Sequence, residues 1–466
     1  MQEVLAAISQ YLTSLGASVV LPIIITIFGL VLGLSFSKAF RAGVTIGVGF
    51  IGINLVIGLL GDQVGPAAKA MAQNFGVHLS IVDVGWPSSA AIAFGSNIGA
   101  VIIPVGLVVN IILLFTGLTR TLDIDLWNYW HSALIGALVA ALTGNFWLGI
   151  LASGVHLAVV LAMADITAPV VQKYFKLPDI SFPHGTSAPY GLLAMPLDWV
   201  FERIPGLNKL DATPEGIQKR FGFFGETLML GLILGLIIGI LAFPFQDPAK
   251  DVVSILTLAM SLAAAMFLLP RMVAILMEGL MPISEAARKF VQKRFPGRQF
   301  YIGLDSAVAV GQPAVIATSL ILVPVTLLLA LALAPLGNQV LPLVDLATIP
   351  FIVAIMVAIF RGNIVRSVIG GGILIGLGLF IATWIGPAFT QVAVESGFKL
   401  GEGQTVISSL VDGANPLTGL YMWASSMGAA GVIGLSVVGL AFVIGTKFVL
   451  DRRARTQAQE PESASA

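Results

Sequence analysis

Eleven times between residues 17 and 449 the chain stays apolar for long enough to cross a bilayer. A spanning helix needs roughly 20 mostly apolar residues. Such stretches fall at 17–37, 41–61, 97–117, 131–148, 150–171, 222–244, 252–276, 313–335, 346–360, 364–386 and 427–449. The ninth is opened by Asp345 and interrupted by Pro350. In lipid every backbone N–H and C=O must be satisfied within the protein, so segments of this kind leave a helix bundle as the architecture. Composition agrees, with 57% hydrophobic and 10% charged residues, against about 45–50% and about 25% in soluble domains. The expected fold is an all-α polytopic membrane protein of about eleven transmembrane helices.

An odd number of spans puts the two ends on opposite sides. With the N-terminus outside, 21 of the 24 Lys and Arg residues fall in cytoplasmic segments, leaving Lys69, Lys250 and Lys399 outside. That bias follows the positive-inside rule, and it predicts an N-terminus outside and a C-terminus inside. Residues 1–16, MQEVLAAISQYLTSLG, lack the basic start and small-residue cleavage site of a signal peptide. They are expected to form an amphipathic surface helix. Residues 201–221 read as a cytoplasmic linker, 426–450 as the last transmembrane helix and 451–466 as a disordered cytoplasmic tail.

Several function classes are excluded. Formal net charge is zero, which argues against a nucleic-acid partner. There is no cysteine, so thiolate metal sites, disulfides and a phosphocysteine on this chain are ruled out. The four histidines do not cluster as metal ligands do, and no GxxxxGK[ST] phosphate loop occurs. Neither a metal nor a cofactor is expected.

Five landmarks recur in the same order in the two halves, 17–200 and 222–425. Two spans lead to an amphipathic stretch, GPAAKAMAQNFG from Gly65 and MPISEAARKFVQKRF from Met281. Acidic-aromatic or acidic-small stretches follow, IVDVGWPSSA from Ile81 and YIGLDSAVAVGQPA from Tyr301. A later span is opened by Asp125 or Asp345, short turns read TGN at Thr143 and RGN at Arg361, and PHGTSAPYG pairs with VDGANPLTG from Val411. Five spans per half is odd, so the two repeats must be inverted, with re-entrant hairpins and one final helix added. Gly/Pro-broken segments at matching positions of inverted repeats point to a transporter's substrate site.

Ionisable groups at membrane depth are candidates for function by default. His184 is followed by Gly185, Thr186 and Ser187, whose exposed amides and hydroxyls suit a polyhydroxyl ligand; the alternative is a histidine that caps its own turn. Asp305, seven residues before Gln312, suits hydrogen bonding to sugar hydroxyls and general-base work, or an N-cap. Asp83 faces the same choice, and Trp86, followed by Pro87, offers a flat surface for sugar C–H groups or an interfacial anchor. His131 lies among Trp127, Tyr129 and Trp130, which read as an interfacial belt. His156 is expected to hydrogen-bond between helices, His78 to be structural, and Asp412 and Asn415 are candidates through the repeat.

The stretches AGVTIGVGFIGINLVIGLLGDQVGPAAKAMAQNFG, IVDVGWP, DLWNYWH, FPHGTSAPYG and FYIGLDSAVAVGQPAV together resemble the galactitol-type membrane component (IIC) of the bacterial phosphotransferase system. The likeness runs from about Ala17 to Arg453. It implies a homodimer in the bacterial inner membrane, with scaffold helices 17–61 and 222–276 and a mobile core built from 80–200 and 300–425. It also implies an elevator-like inward transport of an alditol, with galactitol the expected one. A separate cytoplasmic IIB subunit, phosphorylated on its own cysteine and recharged by IIA, would phosphorylate the bound substrate; no catalysis is expected of this chain alone.

By similarity to ascorbate-type members, substrate contacts would fall on Trp86, Pro87, His131, His184, Gly185 and Asp305. Where those members have glutamines, this chain has Gly185 and Thr186, in keeping with a different substrate. Thr186, Gln312 and Asp412 complete the expected binding set, with Asp305 and His184 as the expected catalytic groups. The rival reading is an ion-coupled or facilitative sugar permease without phosphorylation.

Overall fold

The computed structural model describes residues 22–23, 26–27, 29–74, 81–123, 125, 128–207, 210, 214, 227–243, 245, 247–294, 300–342, 344–396 and 406–459. The expected surface helix 1–16, most of the linker 201–221, His78 and Trp127 lie outside them.

In the first half the elements are α1 (Phe36–Asn74), β1 (Ile81–Asp83), α2 (Gly85–Gly95), α3 (Gly99–Phe115), β2 (Thr121–Asp123), α4 (Tyr129–Thr143), α5 (Phe146–Phe175), β3 (Ile180–Ser181) and α6 (Ala188–Phe201). The second half continues with α7 (Thr227–Ala242), α8 (Pro248–Arg294), β4 (Tyr301–Gly303), α9 (Ala307–Val310), α10 (Pro313–Leu333), β5 (Val340–Leu341), α11 (Ile349–Ile359), α12 (Ile364–Glu395), β6 (Val406–Ser408), α13 (Pro416–Ser426) and α14 (Gly428–Gln459). Among the described residues four helical stretches are long and apolar enough to cross a membrane: 146–175, 313–336, 364–395 and 428–452.

The long helices differ from the sequence expectation in an instructive way. The amphipathic stretch from Gly65 does not start a new element but continues α1, with Pro66 inside the helix. Likewise MPISEAARKFVQKRF extends α8 to 47 residues. At 1.5 Å per residue that helix is about 70 Å long, twice a hydrocarbon core of about 30 Å. It therefore cannot lie wholly within the apolar layer. At the other end of the chain, α14 runs on to Gln459, into the segment expected to be disordered. The correction has a simple cause, since Arg, Ala and Gln in DRRARTQAQ are good helix formers.

Helices α1, α7 and α8 pack chiefly on one another. Small residues let them approach: a Cβ on Gly279 would stand 2.8 Å from the Ala42 carbonyl oxygen, the close backbone contact that membrane helices favour. Outward faces stay apolar, as with Val437, Val438 and Phe448 on α14, because their solvent is lipid. Four tryptophans, Trp147, Trp199, Trp384 and Trp423, are also exposed. Tyr129 and Trp130, read from sequence as an interfacial belt, are instead buried in the core.

Two three-stranded parallel sheets hold the broken segments. In one, β1 lies between β5 and β6, with Ile81 opposite both Val340 and Val406. In the other, β4 lies between β2 and β3, with Gly303 opposite Asp123 and Ser181. Each half thus supplies the central strand to two strands of the other. Short strands here answer a physical need, since non-helical backbone at membrane depth must find its hydrogen bonds inside the protein. Asp165 in α5 secures the start of β2, accepting hydrogen bonds from Thr119 Oγ1, Thr121 Oγ1 and the Arg120 amide at 2.7–2.9 Å.

The two short turns have matching chemistry. In TGN, Asn145 accepts hydrogen bonds from the amides of Trp147 and Leu148 and so caps α5. In RGN, Asn363 accepts one from the Arg366 amide and caps α12. Asparagine at this position supplies the acceptor that a helix start lacks. The RGN turn is also clamped to α6: Arg361 reaches Asp198 at 2.9 Å and Glu202 at 2.7 Å, and Arg366 reaches Asp198 at 3.1 Å.

Candidate functional site

Two Gly/Pro-rich tips meet in the interior. PHGTS follows β3 and leads into α6, while VDGANP follows β6 and leads into α13. Asn415 Nδ2 donates to the Gly185 carbonyl at 2.7 Å, and Tyr190 Oη donates to the Ala414 carbonyl at 3.1 Å. Asn415 also caps α13 through the Leu417 amide.

Across this junction runs a chain of four buried titratable side chains, Asp412, His131, His184 and Asp305. His131 Nδ1 lies 2.8 Å from Asp412 Oδ2 and 3.0 Å from Oδ1. His131 Nε2 lies 3.4 Å from His184 Nε2, and the latter lies 3.4 Å from Asp305 Oδ1. The carboxylate holds the proton of His131 on Nδ1, leaving the Nε2 lone pair facing His184. The His184 N–H then chooses between two acceptors, each at 3.4 Å rather than the usual ~2.9 Å. A hydroxyl oxygen can therefore compete for it.

Packing fixes these rings. The His131 ring stacks at 4.0 Å on Trp130 and meets His184 edge-on at 4.7 Å, while Phe351 lies 5.9 Å from His184. Gly185 sits against the His131 ring: a Cβ there would fall 2.5 Å from His131 Cβ and Cγ. Thr186 Oγ1 is buried with no hydrogen-bond partner among the described residues. Ser187 Oγ lies between Ser306 Oγ at 2.6 Å and the Phe351 carbonyl at 2.5 Å, which ties the histidine turn to the Asp305 loop.

Asp83 and Asp305 share a local device. Asp83 Oδ1 accepts from the Gly85 amide at 3.1 Å, and Asp305 Oδ1 from the Ala307 amide at 2.8 Å. Their wider roles diverge. Asp83 Oδ2 accepts from the Asp345 amide at 2.7 Å, and its Oδ1 faces the Leu410 amide at 3.4 Å. Asp345 in turn accepts from the Trp86 amide, Ser409 Oγ and the Val411 amide at 2.7–3.1 Å. Asp83 and Asp345 thus brace backbone around the tip, whereas Asp305 faces an imidazole.

His131, His184, Gly185, Asp305 and Asp412, all named from the sequence, come together here. Trp86 is half-buried and joins through its backbone to Asp345, which also holds the residue before Asp412. Pro87 follows in the first turn of α2, and Gln312 stands at the start of α10. His156 lies outside the chain, with Nδ1 2.9 Å from Ser132 Oγ, a contact between α4 and α5. Phe351, Asp123 and Asn128 were not singled out from sequence; only the tertiary contacts bring them into view.

Comparisons with known proteins identify the family. Residues 11–403 match the family model EIIC-GAT, described as the PTS system sugar-specific permease component. The chain is 42% identical over 448 residues to the "PTS system galactitol-specific EIIC component" of Escherichia coli (strain K12), covering 96% of both chains. The same identity and coverage hold for the protein of that name from Escherichia coli O157:H7. With a family match over most of its length and relatives this similar end to end, the chain belongs to the EIIC-GAT family of sugar-specific permease components of the phosphotransferase system.

Proposed function

We propose that this chain carries an alditol, galactitol in the first instance, inward across the bacterial inner membrane and presents it to a phosphorylated IIB subunit. The observation that carries the reading is the buried Asp412–His131–His184–Asp305 chain, assembled where the two tips meet beside the Thr186 hydroxyl, which has no partner among the described residues. Such a site offers hydrogen-bond donors and acceptors along its length to a polyol.

In this reading the terminal hydroxyl of the alditol gives its proton to Asp305 Oδ1, while the His184 Nε2–H donates to the hydroxyl oxygen and orients it. The oxygen then attacks the phosphorus of the IIB phosphocysteine, and the P–S bond breaks to release thiolate. General-base assistance of this kind contributes about 10²–10⁴ in rate. The chain itself supplies orientation and the proton acceptor; IIB supplies the phosphoryl group, and IIA recharges IIB.

The reciprocal strand pairing, the matched Asp83 and Asp305 turns and the Asn145 and Asn363 caps support a pair of inverted repeats. The mutual packing of α1, α7 and α8 supports a scaffold against which a core carrying both tips moves. The loop-charge bias supports an N-terminus outside and a C-terminus inside. A homodimer follows from the family resemblance.

The test is phosphorylation of radiolabelled galactitol by membranes containing this chain, given phosphoenolpyruvate, the general phosphotransferase proteins and IIA, with and without IIB. Galactitol phosphate formed only with IIB is expected. IIB-independent counterflow without phosphorylation would instead favour a plain permease.

A further inference from the structure

One pair of buried polar groups beside the acid–imidazole chain has no role in the chemistry above. Asp123 ends β2 and is fully buried; Asn128, just before α4, is 3% exposed. Asn128 Nδ2 and the Asp125 amide both face Asp123 Oδ1 at 3.3 Å. That contact fixes the orientation of the Asn128 amide, because turning it would set its oxygen against the carboxylate. The outer oxygens, Asp123 Oδ2 and Asn128 Oδ1, are left buried with no partner among the described residues. Native proteins leave few such atoms unpaired, because burying an acceptor without a donor is costly.

Their placement is informative. Asn128 precedes His131 by three residues, one helical turn away on the same face. Asp123 is in register with Gly303, two residues before Asp305. The orphaned acceptors therefore border the elements that carry His131 and Asp305, the two residues flanking His184. Resting on the alditol reading, we propose that Asp123 and Asn128 form a second hydroxyl subsite, accepting O–H groups of the polyol beyond its reacting end. Linear polyols supply such donors along their whole length. A metal ion fits less well, since among the described residues no three carboxylate or imidazole groups converge on one point. A site built to receive a hydroxyl rejects an analogue lacking it, because its own buried groups are then left unpaired.

The experiment compares kcat/KM for IIB-dependent phosphorylation of galactitol and of a panel of monodeoxy galactitols, in the unaltered protein and in Asn128→Ala. The unaltered protein is expected to disfavour at least one monodeoxy compound on the order of tenfold or more. Asn128→Ala should lose a similar factor on galactitol while leaving that analogue nearly unaffected, so the discrimination disappears. An equal loss on every substrate, or an unaltered protein indifferent to all the deletions, overturns the subsite. If Asn128→Ala fails to reach the membrane, Asn128→Ser, smaller and still polar, carries the same comparison. No galactitol phosphate from the unaltered protein with IIB present would overturn the alditol reading itself, and this subsite with it.

Discussion

His131 and Asp412 are 281 residues apart in sequence, yet Nδ1 of the one and Oδ2 of the other are 2.8 Å apart in the interior. The contact joins the start of α4 to the tip after β6, and it sets which nitrogen of His131 faces His184. Asp412→Asn keeps an acceptor for Nδ1–H but removes its charge. Hydrogen bonds to charged groups contribute about 1.5–3 kcal/mol, so phosphorylation efficiency is expected to fall about 10- to 100-fold. Steady-state assay with saturating IIB checks this; an unchanged rate would mean the carboxylate does not orient the ring.

Asp305 should separate binding from transfer. Asp305→Asn preserves shape and an acceptor for the Ala307 amide, which Oδ1 now receives at 2.8 Å. If Asp305 is the proton acceptor, transfer falls by about 10²-fold or more while galactitol affinity stays within a few-fold. Equal loss in equilibrium binding and in turnover would make it a binding residue only.

Gly185→Ala is expected to be severe for a steric reason. The new methyl would fall 2.5 Å from His131 Cβ and Cγ, so the ring must leave either Asp412 or His184. Galactitol binding should drop at least about tenfold, in line with the cost of overpacking a tight interior. Binding equal to the parent protein's would show that the ring can yield freely.

Thr186→Val tests the opposite situation. Its hydroxyl is buried and makes no hydrogen bond among the described residues, so replacing it with a methyl removes no internal contact. The thermal midpoint in detergent should hold or rise slightly, while KM for galactitol rises by about threefold to tenfold, the range of one neutral hydrogen bond. A lowered midpoint with KM unchanged would place the hydroxyl in the folded core's service rather than the substrate's.

At the RGN turn, Asp198 is shared by Arg361 and the buried Arg366, whereas Glu202 is solvent-facing and meets Arg361 alone. Asp198→Ala should cost about 3 kcal/mol, because it leaves a buried guanidinium without its carboxylate. Glu202→Gln should leave the midpoint nearly unmoved at neutral pH. The hydrogen bond from Arg361, with its charge, holds the Glu202 carboxyl below its ordinary range. That contribution is complete above the ordinary glutamate range and is lost as pH falls through the lowered value. Thermal melts of both variants at neutral and acidic pH check the ordering.

Much of this was legible because lipid imposes strict local rules. The apolar runs marked α5, α10, α12 and α14, and the RGN turn fell between two expected spans, whereas the span expected over 131–148 ran through Asn145, where the structure ends one helix and caps the next. Among the candidate residues, His131, His184, Asp305 and Asp412 could be named because a titratable group in so apolar a chain is conspicuous. What stayed hidden depends on distant contacts. Nothing local to Asp83 and Asp345 distinguishes a brace from a ligand, since the contacts that join their two segments span about 260 residues and those of Asp345 with Ser409 and Val411 span more than 60. Tyr129 and Trp130 looked interfacial because aromatic clusters near a helix end usually are; only the packing of α4 shows them buried. The merging of span and amphipathic stretch in α1 and α8 was equally invisible, since Gly65 and Pro66 are ordinary breaking signals.

The exchange of central strands also bears on how the protein is made. When the first half leaves the ribosome, β2 and β3 have no strand between them and β1 has neither flank. The strands that complete both sheets come only from the segments between Tyr301 and Ser408. The two halves therefore mature as one event rather than in sequence. A gene cut within the 208–226 connection should yield two pieces that are each short-lived alone and persist when made in the same cell.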